Sequence, residues 1–335
     1  MVRVNWSDRD AKRTVVLDQG LFGRAPEELA RQGWDAYELF STERALKDAP
    51  AALMAGAGRV HLVEAGPVPE VAASHLEQVR AESLVALGGG RVIDVAKGIA
   101  AVRGGRVAAI PTTLSGAEMT GIHRLPSGHE GYGGVRPELV LADPELMTSH
   151  PEPQLRATAM NALAHAGDSM VTPLADGISH GLSLAGAELI ATSLDAEPSQ
   201  RNRSDLAQGA ILSGWAVDRG GLALHHVLSQ TTVRICGTPH AETNAALLPQ
   251  TMEELRRRAP RWMDPFAMAL GGSPEGLAER IRELGGRPRG LAELGATPEN
   301  VDDLVEAAMA RPELRQMTPG ELSAGDLRRI LDSSL

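Results

Sequence analysis

In residues 1–150, short apolar and β-branched runs alternate with longer stretches where apolar residues return every three or four positions. That alternation predicts a parallel sheet covered by helices. The runs Arg13 to Leu17, Ala36 to Phe40, Arg59 to Val63, Ser83 to Leu87, Val107 to Ile110 and Leu139 to Ala142 read as strands. Ala25 to Gln32, Val68 to Arg80 and Ile93 to Val102 read as helices. After Pro151 the strand-like runs vanish and Ala, Leu, Glu and Arg dominate, so Pro153 to Leu335 reads as all-helical. Breaks are expected at Pro173 and at residues 197–204, 237–239, 271–274 and 285–288. The organisation expected is an α/β domain over 1–150 and a helical domain over 151–335.

Composition narrows the function classes. The chain has 335 residues, and 33 Lys and Arg against 43 Asp and Glu give a net charge of -10. An acidic chain repels phosphate backbones, and with four Trp, two Tyr and three Phe it has few rings on which to stack bases. Nucleic acid is therefore not expected as a partner, and a small-molecule substrate is. No apolar run approaches the ~18 residues of a membrane span, and the first ten residues carry no apolar signal segment. A cytoplasmic location is expected, in keeping with the single cysteine, Cys236.

Two segments of the first half bear chemistry. Ser83 to Leu87 runs into Gly88-Gly89-Gly90-Arg91 and then a helical pattern through Asp94 and Lys97. Glycines let the backbone approach an anion, and the amides at the start of the following helix favour a pyrophosphate. Such a turn also serves simply as a tight strand-to-helix connection. Val107 to Ile110 leads into Pro111-Thr112-Thr113-Leu114-Ser115, whose hydroxyls either line a crevice at the strand ends or cap their own loop. In the second half, Asn161 and His165 are four residues apart, one face of a helix. His225, His226 and His240 follow, and spacing alone does not make them converge.

Taken together, these segments resemble the iron-containing alcohol dehydrogenase family, most closely its maleylacetate reductase branch. The resemblance rests on Gly88-Gly-Gly-x-x-x-Asp94-x-Ala-Lys97, Pro111-Thr-Thr-x-Ser115-Gly-x-Glu-Met119, Asp143-Pro144, Met160-Asn-Ala-x-Ala-His165, Leu224-His-His226 and Pro239-His-Ala-Glu-Thr243. It runs in order from about residue 10 to 260. It implies the dehydroquinate synthase-like fold of that family: an α/β dinucleotide-binding domain, an all-α domain with the histidine cluster, and an active site between the two. It also implies a homodimer and NAD(H) or NADP(H) as cofactor. Gly88, Gly89 and Gly90 would hold the pyrophosphate, with Thr112 and Thr113 near the ribose and nicotinamide; Arg91, which would either clamp or block a phosphate, Asp94 and Ser115 complete the cofactor-binding set.

In metal-dependent members, iron or zinc sits on one Asp and three His, positions that correspond here to Asn161, His165, His226 and His240. Asn161 replaces the carboxylate, a poorer donor for a divalent ion. Maleylacetate reductases share that Asn and are regarded as metal-independent, so no metal is expected, and the histidines would polarise a carbonyl and deliver its proton. Other positions depart from the family. Arg91 stands where a serine is usual, Gln230 where a histidine is common, and Asn244 replaces a histidine of the maleylacetate reductases. No lysine lies between Thr120 and Asp143. The first reading is an NAD(P)H-dependent reductase of a small carbonyl compound such as a keto acid, with His165, His226, His240, Asn161 and Gln230 in its catalytic set. The alternative is a non-redox lyase, cyclase or isomerase using the same histidines for acid–base work.

Overall fold

In the computed structural model, residues 2–8, 11–131 and 133–335 are described, with side chains from residue 13 onward apart from Tyr132. The chain divides into two compact units, Met1–Ser149 and His150–Leu335.

The first unit is built on seven strands: β1 (Val2–Asp8), β2 (Ala11–Leu17), β3 (Tyr37–Ser41), β4 (Ala57–Leu62), β5 (Ser83–Gly88), β6 (Arg106–Pro111) and β7 (Leu139–Ala142). Their order across the sheet is β1-β2-β7-β6-β5-β3-β4. All pairings are parallel except β1 with β2, an antiparallel edge pair. The six strands read from the sequence are all present, and β1 is an addition to them. Its helices are α1 (Ala25–Arg31), α2 (Glu43–Lys47), α3 (Ala51–Ala55), α4 (Val68–Leu76), α5 (Gly90–Arg103) and α6 (Pro144–Met147).

The central strands are apolar without alternation because both faces of the sheet are covered. Leu84, Ala86, Val107 and Ala109 pack on one face with Phe40, Ile93 and Ile99. Val85, Leu87, Ala108 and Ile110 pack on the other with Leu21, Leu29 and Trp34. Helix α4 stops four residues short of the expected Arg80. The amides of Arg80 and Ala81 donate instead to the buried carboxylate of Glu38 on β3, at 2.9 and 3.2 Å, which draws this backbone out of the helix.

The second unit contains helices α7 (Glu152–Ser169), α8 (Gly177–Asp195), α9 (Arg203–Gly220), α10 (Leu224–Cys236), α11 (His240–Arg258), α12 (Pro260–Ala269), α13 (Leu277–Leu284), α14 (Asn300–Met309), α15 (Pro312–Met317) and α16 (Ala324–Asp332). No strand occurs among its described residues, in line with the helical reading. Helix α7 is buried on nearly every side from Ala159 to Ser169, which makes it the axial helix of the unit. Helices α8 and α9 approach closely where two glycines meet. A Cβ on Gly186 would lie 2.9 Å from the Gly209 carbonyl, and one on Gly209 equally near that of Gly186. Among the described residues no helix is long and apolar enough to cross a membrane.

Candidate active-site elements

In the first unit, strand register brings two of the chemistry-bearing segments together. β5 and β6 are parallel neighbours with Gly88 opposite Pro111, so the loops leaving their carboxyl ends emerge side by side. The Thr112 amide donates to the Gly88 carbonyl at 3.1 Å. Gly89 is the N-cap of α5, and no side chain caps that helix. Its leading amides therefore point away uncapped, an anion site by geometry. A Cβ on Gly89 would lie 3.0 Å from Thr113 Cγ2, and one on Gly90 3.2 Å from Ser115 Oγ. The glycines thus leave a cradle walled by Thr113 and Ser115. The Thr113 hydroxyl is buried there with no hydrogen-bond partner among the described residues.

Two buried cations hold this loop from behind. Lys97, fully buried on α5, donates to Asp94 at 3.0 Å and to the carbonyls of Ala117 and Ile122 at 3.0 and 2.6 Å. Arg13 donates to the carbonyls of Glu118, Met119 and Pro137. Asp94 is thus engaged by Lys97, whereas Arg91 is exposed on the first turn of α5. Glu118 is fully buried and neither carboxyl oxygen has a partner among the described residues. Burial pushes its carboxyl up to about 7.

In the second unit, α7 presents Asn161, His165 and Asp168, spaced four and three apart and all buried, on one helical face. The His165 imidazole stacks on that of His226 from α10, with centroids 4.8 Å apart and planes within 10°. His225 stands edge-on to His226 at 5.1 Å. His225 reaches Thr251 through Nδ1 at 2.8 Å and Asn244 Oδ1 through Nε2 at 2.9 Å. Asn244 Nδ2 donates in turn to the His240 carbonyl at 2.8 Å and lies 3.2 Å from His240 Nε2. Thus His165 and His226 are in direct contact. His240, exposed at the first residue of α11, connects to the set through Asn244 and His225. Gln230 is half-buried one turn beyond His226.

Sequence reasoning passed over the group that orders this cluster. Asp168, with no exposed surface, accepts hydrogen bonds from the amides of Ala223, His225 and His226 at 2.9, 3.2 and 3.1 Å. It also accepts from His226 Nδ1 at 2.8 Å. A carboxylate of α7 therefore caps the N-terminus of α10 and binds the imidazole at the same time. Because the acceptor is a carboxylate, Nδ1 bears the hydrogen and Nε2 is left as a lone pair. That Nε2 is buried without a hydrogen-bond partner among the described residues, as is His165 Nδ1. The spacing of Asp168 from His165 and Asn161 was the available signal.

Burial, followed by the charges of His240 and Arg311, lowers the His226 imidazole to about 3. Burial and then His226 bring His225 to about 3, and the same two causes hold His165 well below the usual histidine range. The three rings are therefore neutral near pH 7. Burial raises the Asp168 carboxyl, against the pull of His225 and its backbone hydrogen bonds.

These shifts set a pH dependence. Below the ordinary histidine value of 6.5 the unfolded chain takes up protons that buried His225 and His226 refuse until about 3. Stability should therefore fall as pH drops through that window, by up to one proton per histidine in the linkage slope. Asp168, with its raised value, offsets part of this at the acid end above 3.8. The pH dependence of the thermal midpoint checks it: a His226→Gln chain should show a shallower decline between pH 6.5 and 4, and an unchanged decline would contradict the assignment.

Comparison with known proteins agrees with the motifs in both units. Residues 14–144 match the family model for iron-containing alcohol dehydrogenase, and residues 156–335 that for the C-terminal part of the Fe-containing alcohol dehydrogenase family. The chain is 33% identical over 279 residues to maleylacetate reductase 1 of Rhodococcus opacus, covering 80% of this chain and 76% of that protein. It is 33% identical over 260 residues to maleylacetate reductase of Burkholderia cepacia, covering 73% of each. The crystal structure of maleylacetate reductase from Agrobacterium tumefaciens superposes with a TM-score of 0.86 at 27% identity, covering 100% of this chain and 98% of that one. With both units matched and the motifs in their expected order, the chain belongs to the iron-containing alcohol dehydrogenase family, near its maleylacetate reductase branch.

Proposed function

We propose that this chain is an NAD(P)H-dependent reductase of a small carbonyl compound, a keto acid of the kind the maleylacetate reductases are named for. The observation that carries the reading is the cradle of Gly89 and Gly90 before the uncapped amides of α5, with the buried Thr113 hydroxyl unpartnered beside it. A dinucleotide fits that arrangement, since the amides suit its pyrophosphate and the absent Cβ atoms leave the backbone accessible. Bound there, the nicotinamide cofactor supplies a hydride. NADH and NADPH are both compatible with the cradle. The comparisons give the non-redox alternative no support. In this reading residues 1–150 form the dinucleotide-binding domain and residues 151–335 the domain that handles the substrate oxygen. A homodimer and a cytoplasmic location rest on the family resemblance and the sequence reading.

Within the second unit, the work falls to His226 and His165. The His226 Nε2 lone pair accepts the hydrogen of a hydroxyl. It is therefore suited to hold the alcohol product and to pass a proton, taken from solvent water onto Nε2, to the oxygen of the carbonyl being reduced. His165, stacked on the face of that ring, adds a second buried ring nitrogen.

A family metal suits this donor set poorly. Asn161 offers a neutral amide where a carboxylate is needed, and the carboxylate at hand, Asp168, is saturated by four hydrogen bonds. Among the described residues no group of three or more His, Cys, Asp or Glu is disposed to hold a metal ion. From the carboxylate missing at Asn161 we read the reaction as metal-independent.

Titration with NADH and NADPH, followed by fluorescence, tests the reading. At least one should bind saturably. Gly89→Val, whose side chain enters the space against Thr113, should abolish binding while leaving the circular dichroism spectrum intact. Failure of both nucleotides to bind the unmodified protein at millimolar concentration would end the reductase reading. With a keto acid that is turned over, His226→Ala should lower kcat by ~10² to 10⁴, the usual loss for a removed proton donor.

A further inference from the structure

We infer that Asp168 is a positioning residue for the reaction, acting through His226: its carboxylate holds the ring as the Nδ1–H tautomer and fixes the direction in which the bare Nε2 points. The inference rests on the reductase reading for its kinetic readout, although not for the geometry.

The geometry separates this role from simple helix capping. Capping α10 needs an acceptor for the amides of Ala223, His225 and His226, and those bonds engage both carboxylate oxygens. The fourth bond, from His226 Nδ1 at 2.8 Å, adds nothing to the cap. It fixes a side chain whose opposite nitrogen is buried and unpartnered among the described residues. A buried polar atom left without a partner costs stability, so its retention there is a mark of use in binding or chemistry. The groups facing His226 are His165 from α7, His225 from its own helix, His240 from α11 and Arg311 before α15. Asp168 is the anion hydrogen-bonded to the ring, so it is the group that decides which ring nitrogen bears the hydrogen. Nε2 takes a proton from solvent water as the hydride is transferred; when that proton leaves, the Nε2–H bond breaks and its electron pair returns to nitrogen. An O–H bond forms on the substrate, whose carbon has received the hydride.

An isosteric change divides the two roles. In Asp168→Asn the amide has one acceptor oxygen where the carboxylate has two: with its N–H₂ at the Oδ2 position it faces Nδ1 and favours the Nε2–H tautomer, and with its oxygen there the N–H₂ opposes the His225 amide. In Asp168→Glu the charge is kept and the packing is disturbed. Both variants should melt below the unmodified protein and bind the reduced nucleotide normally. The Asn variant should lose ~10² to 10⁴ in kcat with little change in the KM for the keto acid, and the Glu variant should recover most of that loss. Equal kcat in the two variants, or a normal kcat in the Asn variant, would overturn the inference. Should Asp168→Asn fail to fold, ¹⁵N NMR of the His226 ring in the unmodified protein decides the matter. Hydrogen on Nδ1 with a bare Nε2 supports the inference, and hydrogen on Nε2 refutes it. That second arm needs no turnover, so a failure of the reductase reading is distinguishable from a failure of Asp168.

Discussion

A carboxylate with no solvent-exposed surface, Asp168, governs the order of the second unit's site. Removing a charge from water costs several kcal/mol unless hydrogen bonds replace the hydration, and four donors do so here. Three of them are backbone amides at the start of α10, so one residue ties the end of the axial helix α7 to the helix that bears both adjacent histidines. The orientation of His226, its tautomer and its stacking on His165 follow from that tie. A neutral imidazole pair with buried nitrogens is the outcome.

The first unit solves a different problem by register. Parallel pairing of β5 with β6 places the glycine turn beside the threonine loop. Lys97 and Arg13 then fasten the following residues through carbonyl oxygens. A lysine with no exposed surface demands several acceptors, and the loop supplies them. Lys97, one of the three lysines in the chain, does this work.

Much of this was legible beforehand. Apolar runs over β2 to β7 and the glycine punctuation before α5 marked the sheet and the nucleotide turn, because a sheet covered on both faces leaves continuous apolar strands. The expected strands omit β1, although Val2-Arg-Val-Asn-Trp6 alternates, and the helix expected through Arg80 ends early because Glu38, distant in sequence, takes the amides of Arg80 and Ala81. His165 and His226 were found from motif and spacing, yet only tertiary packing shows them stacked. Asp168 was missed because a lone aspartate near a helix end is ordinarily a solvated surface residue. Its burial depends on where α10 begins, which local pattern does not encode.

Asn161 gives up the charge that a metal would require, and Asp168 spends its own on the helix and the imidazole. In the reaction proposed above, a buried carboxylate and neutral rings would take the organising place that the family name gives to an ion. Chelation followed by assay tests that most directly. Protein stripped of divalent ions, verified by elemental analysis, should reduce a keto acid with NADH or NADPH at the same kcat as protein as isolated. Loss of activity on stripping, restored by stoichiometric iron or zinc, would contradict it.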